Sequence, residues 1–116
     1  MPTYFVAIGF FKNYDGTSDV YDVDVLGVFE EELQAQQACI QYVKETLVER
    51  FSNYLEDNPH PGDQTYAQEW LQKIASFESL EPSKQLSYLS DVVYEEYEGF
   101  GPTVRIVQRV VTHSSS

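Results

Sequence analysis

The residues of this chain that could perform chemistry are few and far apart. There are two histidines and one cysteine in 116 residues. His60 stands between two prolines and His113 lies near the end of the sequence, so neither is held as a general acid or base must be. Cys39 falls among apolar residues at helical spacing, where a thiol usually packs as a small inert side chain. These residues do not indicate a nucleophile or a proton-transfer centre.

Two aspartates form the strongest candidate for a catalytic pair. Asp22 and Asp24 are two residues apart in a predicted strand, so their carboxylates point the same way and could form half of a metal site. No third ligand is evident in the sequence. Solvated edge carboxylates, which could pair with Arg105 or Arg109, are the simpler interpretation. A small enzyme that uses the two aspartates with a divalent metal stays open as an alternative.

No binding motif for a metal or a nucleotide is complete. The segment that begins at Asp57 has a glycine, Gly62, at the sixth position of a calcium loop. Prolines fill the third and fifth positions, and Gln68 stands where a bidentate glutamate is needed. Glycine spacing matches neither a phosphate loop nor a dinucleotide fingerprint. The sequence therefore predicts no metal and no cofactor, and it does not favour an enzyme.

The net charge is strongly negative. Nineteen acidic residues and seven basic ones give −12 at pH 7. Such a chain is repelled by phosphate backbones and anionic lipids, which disfavours direct binding to nucleic acid or a membrane surface. The acidic surface serves solubility in the simplest interpretation. The alternative is an inhibitor or polyanion mimic that binds a basic, nucleic-acid-binding protein, with charge presented along the first hairpin by Asp15, Asp19, Asp22 and Asp24.

Targeting signals are not evident. A single cysteine allows no intrachain disulfide, so a reducing compartment such as the cytoplasm is expected. The first residues lack a basic region before their short apolar run, and no apolar stretch approaches the roughly 18–20 residues of a membrane span. We expect one domain over residues 1–112 and a disordered tail over 113–116.

Two strands come first. Residues 4–12 are apolar on both faces, which is typical of a central strand covered on both sides. Gly9 interrupts one row and suggests a bulge or a close contact. After a turn, residues 19–29 alternate: the pattern places Tyr21, Val23, Val25 and Phe29 on one face and Asp22, Asp24, Leu26 and Val28 on the other.

A long helix is predicted over residues 31–57. Its apolar residues recur every three or four positions and form a stripe on one face, wide enough for the helix to lie on a sheet. They are Ala35, Ala38, Cys39, Tyr42, Val43, Leu47, Phe51, Tyr54 and Leu55. The three glutamates at positions 30–32 lie at the start of this helix, where acidic side chains interact favourably with the positive end of the helix dipole.

Shorter elements complete the chain. Thr65 is predicted to cap a helix over 66–77, and Pro82 to open a helix over 83–97. Residues 88–97 could also form a strand. The last strand is predicted over 103–112, with Arg105 and Arg109 on one of its faces.

These elements predict an α+β fold with two layers. The order is ββααβ, with an antiparallel three-stranded sheet of order 2-1-3 packed by one long helix and one or two shorter ones. Such a sheet, covered by helices on one side only, leaves its other face bare. The alternation places Phe5, Phe11, Leu26 and Val28 on that bare face, beside Arg105 and Arg109. Because so apolar a face is unfavourable in water, we predict a non-enzymatic interaction protein that forms a homo-oligomer, most simply a dimer.

One stretch carries a resemblance to known proteins. Residues 25–29, Val-Leu-Gly-Val-Phe, are followed by acids and then by residues 35–42, Ala-Gln-Gln-Ala-Cys-Ile-Gln-Tyr. This strand–helix stretch resembles a pattern seen in small orphan proteins of phages and large DNA viruses. The resemblance implies a small accessory or virion protein, found in the host cytoplasm or the virion. It assigns no functional residue.

Overall fold

A computed structural model gives the fold for residues 2–14, 16–17, 19–57, 60–97 and 101–110, with the side chains of 13, 14, 19 and 20 excepted. Asp15, His113 and the predicted tail over 113–116 lie outside these residues, as does the side chain of Asp19. The elements are β1 (Thr3–Tyr14), β2 (Asp19–Phe29), α1 (Glu32–Asp57), α2 (Pro61–Ser76), a short 3₁₀ turn (Phe77–Ser79), α3 (Pro82–Tyr97) and β3 (Gly101–Val110).

The sheet has the predicted topology. Its three strands are antiparallel in the order β2-β1-β3, so β1 is central and hydrogen-bonded on both sides. The doubly apolar sequence of β1 fits this position, because the side chains of a central strand are flanked on both sides by those of its neighbours. The α+β class and the strand order 2-1-3 are confirmed.

All helices lie on one side of this sheet. Helix α1 contacts all three strands, α3 contacts α1 and β3, and α2 packs on α1. The shortest dimension of the molecule is 19 Å, which corresponds to one sheet and one layer of helices at about 10 Å per layer. The apolar stripe of α1 forms the core, with these residues buried: Ala35, Cys39, Ile40, Val43, Leu47 and Phe51.

Helix α1 approaches β1 closely because the facing residues are small. Ala7, Ala35 and Cys39 are fully buried against one another. One step along the same strand face, a Cβ built on Gly9 would lie 2.8 Å from Cζ of Tyr42. The glycine therefore makes room for the tyrosine ring, and the predicted close contact at Gly9 is confirmed.

The two shorter helices differ from expectation at one boundary. Helix α2 begins at Pro61, with His60 in extended conformation before it and no side-chain cap. The predicted cap at Thr65 is wrong: its hydroxyl donates to the carbonyl of Pro61 at 2.9 Å, inside the helix. Proline fits the first helical position because its missing N–H needs no partner there. Residues 88–97 belong to α3, so the helical alternative is the correct one.

A bulge in β2 changes which residues share a face. Ala7 pairs with Gly27, but Ile8 pairs with Val25, so Leu26 is an extra residue without a partner on β1. An inserted residue inverts the alternation beyond it. Val28, opposite Val6, therefore shares the face of Val25, and Phe29, opposite Phe5, lies on the other. The predicted grouping of Phe29 with Tyr21, Val23 and Val25 is wrong.

The predicted face of three candidate interface residues is also wrong. Phe5 and Leu26 pack on the buried cluster of Ala7, Ala35 and Cys39, on the helix side of the sheet. Phe11 lies on the same side, edge-on to Tyr97 with ring centroids 5.8 Å apart. The bare face is formed by the other row of β1.

We expect Gly9→Ala to lower the free energy of unfolding by about 1–2 kcal/mol, since the new methyl group must displace the Tyr42 ring. Adding Tyr42→Leu, which removes the ring, should recover part of this loss. The matched control is Gly62→Ala in α2, where nothing lies within 4 Å of the built Cβ; it should be neutral or stabilising by up to about 1 kcal/mol. Urea denaturation measures all three, and equal losses for Gly9→Ala and Gly62→Ala would contradict the packing of Tyr42 on Gly9.

Candidate functional site

The face of the sheet opposite the helices is the first candidate site. Residues paired directly across antiparallel strands point to the same side, so the register defines this open sheet face. It consists of Tyr4, Val6, Ile8, Phe10 and Lys12 of β1, Tyr21, Val23, Val25 and Val28 of β2, and Thr103, Arg105, Val107 and Arg109 of β3.

The open sheet face is apolar and exposed. On β2, the exposed fractions are 56% for Tyr21, 58% for Val23, 67% for Val25 and 59% for Val28. The four apolar residues of β1 are half-buried because side chains of both edge strands flank them. Single exposed apolar residues are ordinary, but a contiguous set on neighbouring strands is unfavourable in water.

The charge of the open sheet face is opposite to that of the chain. Lys12, Arg105 and Arg109 lie on it, three of the seven basic residues in the sequence. The Lys12 ammonium lies 5.9 Å from the centroid of the Tyr21 ring, which is its neighbour across the strands. No acid belongs to this face among the strand residues whose side chains the structure describes. A basic, apolar face on an acidic protein therefore distinguishes this surface from the rest.

The structure separates Asp22 and Asp24 from the arginines. Both aspartates are on β2 with their side chains toward the helix side, where Asp24 is opposite Gly9. Arg105 and Arg109 are on β3, at the other edge and on the other face. The suggested pairing of these aspartates with the arginines therefore does not occur within the chain.

Asp22 and Asp24 lie near the hydroxyl of Tyr42. Among the described residues, they have no further side chains beside them that would complete a metal site. Burial raises the pKa of the Tyr42 hydroxyl, and the charges of Asp24 and Asp22 raise it further. Across the described ranges, no three side chains of His, Cys, Asp or Glu come together to hold a metal ion. The metal-enzyme alternative therefore lacks a third protein ligand in this part of the chain.

A second candidate is a groove of about 480 Å³ between β1, α1 and α3. Its lining includes Phe11, Glu49, Arg50, Tyr54 and Tyr97. The guanidinium carbon of Arg50 lies 4.3 Å from the centroid of the Tyr97 ring, a cation–π distance. No sequence pattern predicts this groove, since its residues come from three elements.

The polar groups beside this groove converge on one glutamate. Glu96 accepts hydrogen bonds from Arg50 Nε at 2.9 Å, from the Tyr54 hydroxyl at 2.9 Å and from the Tyr66 hydroxyl at 2.8 Å. Its side chain is 8% exposed, against 35% for Arg50. Burial alone would raise the pKa of Glu96, but the bonds from Arg50, Tyr66 and Tyr54 outweigh it and lower the pKa. A carboxylate held ionised by three donors joins α1, α2 and α3, which is a structural role.

The remaining candidate, Cys39, is buried in the core beneath the sheet, and burial raises the pKa of its thiol. A protonated, inaccessible thiol is a poor nucleophile. The predicted inert role of Cys39 therefore agrees with its position.

Comparisons with protein-family models, with curated proteins and with solved structures find no match for this chain. The suggested likeness to viral accessory proteins stays a prediction. No helix in the described ranges is long and apolar enough to cross a membrane. Of the candidate sites, the open sheet face is the one whose exposure to water is unfavourable without a partner.

Proposed function

We propose that this chain is a non-enzymatic interaction protein that self-associates through its open sheet face. The observation that supports the proposal is the contiguous exposure of Tyr21, Val23, Val25 and Val28 beside the apolar residues of β1. Burying such a surface against a second apolar surface is favourable by about 25 cal/mol per Å² removed from water. The resemblance to viral accessory proteins is compatible with such a role and adds no residue to it.

The size of the face indicates how strong the association should be. Three strands about 4.8 Å apart and ten paired positions at about 3.3 Å each give a flat footprint of about 480 Å² per copy. Interdigitating side chains add to this area, which puts the interface near the lower limit of specific complexes, about 1,200 Å² in total. We therefore expect a reversible dimer whose population changes over micromolar concentrations.

Multi-angle light scattering over a concentration series tests the proposal. The measured mass should rise from that of the 13.4 kDa chain toward twice this value as concentration increases. High salt should strengthen or leave unchanged an association that depends on apolar burial. A mass that stays at one chain up to high micromolar concentration would contradict self-association.

A second candidate function uses the remaining surface. With Lys12, Arg105 and Arg109 on the open sheet face, only four of the seven basic residues belong to the rest of the chain, whose described side chains include most of the nineteen acidic ones. That surface could bind the basic groove of a nucleic-acid-binding protein, as a polyanion does. The test is a pull-down from lysate at low and high salt. A basic partner that is retained at about 0.1 M salt, lost as salt screens the charges and displaced by DNA supports this candidate.

A further inference from the structure

We propose that the outer edge of β3 binds an extended, acidic segment of another protein as a fourth strand of the sheet. This contact is separate from self-association, because it uses the edge of the sheet rather than the open sheet face. A segment that adds to a sheet edge gains affinity from main-chain hydrogen bonds and specificity from pockets that receive alternate side chains. The edge of β3 offers both, together with two arginines.

The backbone of β3 is unpaired on its outer side. Strand β3 is hydrogen-bonded to β1 on one side, and no strand lies beyond it in the described part of the chain. Alternate residues of such an edge strand direct their N–H and C=O groups outward, where an added strand can pair with them. Pro102, which has no N–H, stands near the start of β3, so residues 103–110 form an uninterrupted template. The other edge of the sheet is less suitable, because the bulge at Leu26 interrupts β2.

A hollow of about 190 Å³ lies beside this edge, between α3 and the start of β3. Its walls include Val43 of α1, Val93 and Tyr94 of α3, and Thr103 and Val104 of β3. The register places Thr103 on the open side of the sheet and Val104 on the helix side, so a hollow that borders both lies at the free edge of the strand. None of its described lining residues is charged. Its volume is below the roughly 300–1,000 Å³ of pockets for whole ligands and suits one apolar side chain.

The alternation of an added strand matches the hollow and the arginines. Val104 faces the helix side, whereas Arg105 and Arg109 face the open side. Residues directly opposite each other on neighbouring strands share a face. The residue opposite Val104 would therefore enter the hollow, and those opposite Arg105 and Arg109 would lie beside a guanidinium group. A segment that has an apolar residue, an acid next to it and a second acid four positions further on presents this pattern.

The charge of β3 favours an acidic strand over a second copy of β3. Arg105 and Arg109 are the only charged residues of this strand. If two β3 strands paired antiparallel about Val107, each Arg105 would lie opposite the partner's Arg109, and like charges directly opposite are destabilising. Acids at these positions are stabilising instead. The net charge of −12 repels an acidic segment at long range, but salt screens that repulsion beyond about 8 Å, and the arginines act at closer range.

A synthetic peptide of ten residues tests the proposal. It has leucine opposite Val104, glutamate opposite Arg105 and Arg109, and threonine at the remaining positions, and it is made in both orders to allow either strand direction. We expect one order to bind the native chain, with amide NMR shifts concentrated in residues 103–110. Fluorescence anisotropy should show that replacing both glutamates by glutamine weakens binding roughly tenfold or more at about 0.1 M salt. Lack of binding by either order up to millimolar peptide would contradict the proposal.

Two N-methylated versions of the binding peptide separate strand addition from simple attraction of charges. Methyl groups on the amides that face β3 remove the hydrogen bonds to it and should abolish binding. Methyl groups on the amides that face solvent should leave binding nearly unchanged. Equal binding by the two versions would show that the peptide does not pair with β3, and the proposal would be wrong.

Variants of the chain test the two side-chain contacts. Arg105→Glu combined with Arg109→Glu should lose the acidic peptide and bind one with lysine in place of glutamate. Ser90→Phe, which adds a ring at the hollow from an exposed position of α3, should weaken binding of the leucine peptide roughly tenfold and affect a peptide with alanine in its place much less. Circular dichroism verifies that each variant is folded.

The control variant is Lys12→Glu, which reverses a basic residue of the open sheet face on the central strand and should leave binding unchanged. A loss of binding in Lys12→Glu as large as in the double arginine variant would place the peptide on the open sheet face and overturn the proposal. Unchanged binding in the double arginine variant would overturn it as well.

Discussion

Val25→Asp should abolish self-association and leave the chain folded. Val25 is 67% exposed, so a carboxylate at this position stays hydrated in the monomer and costs little stability. In the dimer the same carboxylate would be taken out of water among the apolar side chains of the interface, on both copies at once. We expect the dissociation constant to rise roughly a hundredfold or more, since each 1.4 kcal/mol corresponds to a factor of ten. Sedimentation equilibrium measures it.

Phe5→Asp is the matched control on the opposite face of the same sheet. Phe5 packs against the cluster of Ala7, Ala35 and Cys39, so its replacement places a charge under α1. We expect the free energy of unfolding to fall by about 2–4 kcal/mol, whereas Val25→Asp should change it by less than about 0.5 kcal/mol. Loss of the dimer in a stable Phe5→Asp variant, together with an unchanged dimer in Val25→Asp, would reverse the assignment of the two faces.

Arg50→Met should be the most damaging of the polar substitutions. It leaves Glu96, whose side chain is 8% exposed, without its only described cationic partner. Removing one member of a buried ion pair costs several kcal/mol, but Arg50 itself is partly exposed and two tyrosine donors remain on Glu96. We therefore expect a loss of about 2 kcal/mol in the free energy of unfolding, measured by urea denaturation at neutral pH.

The same contacts predict a pH dependence with a definite sign. The pKa of Glu96 is lower in the folded chain than its ordinary value of 4.5, so its ionised form stabilises the fold. This contribution is complete above the unfolded pKa and is lost as the pH falls through the folded pKa. Glu96→Gln should therefore be less stable than the native chain at pH 7, and the difference should shrink as the pH is lowered below about 4.5.

The control for this experiment is Glu95→Gln, which removes the same charge from an exposed neighbouring position. It should differ little from the native chain at either pH. A pH dependence of stability that is the same in the native chain and in Glu96→Gln would contradict the role of Glu96 as the ionised tie between the three helices.

The sequence determined the topology well because the relevant signals are local or compositional. Two apolar faces place β1 in the centre of the sheet, and spacing of three and four residues marks α1. The start of α2 was missed because Thr65 looked like a cap, although proline at Pro61 is itself a common first helical residue. Of the two local signals, the proline is the one that marks the start of the helix.

The orientation of the sheet could not be obtained in the same way. The alternation of apolar and polar residues along a strand predicts which residues share a face, but it does not predict which of the two faces the helices cover. A clue existed in the small residues Ala7 and Gly9, because only their row lets α1 and Tyr42 approach so closely. The bulge at Leu26 then inverted the alternation for Val28 and Phe29, and a single inserted residue leaves little trace in a hydrophobic pattern. The contacts of Glu96 were equally hidden, since Arg50, Tyr54 and Tyr66 are 30 to 46 residues away in sequence.

Solvent exposure of individual methyl groups tests most directly the claim that the open sheet face is the surface of self-association. Methyl NMR with a soluble paramagnetic probe can be recorded at protein concentrations below and above the dissociation constant. Val23, Val25 and Val28 should lose most of their relaxation enhancement at the higher concentration, while Leu33, which is 48% exposed on α1, should keep its own. If the mass doubles while the three valines stay equally accessible, or if Leu33 is protected in their place, the open sheet face is not the contact surface.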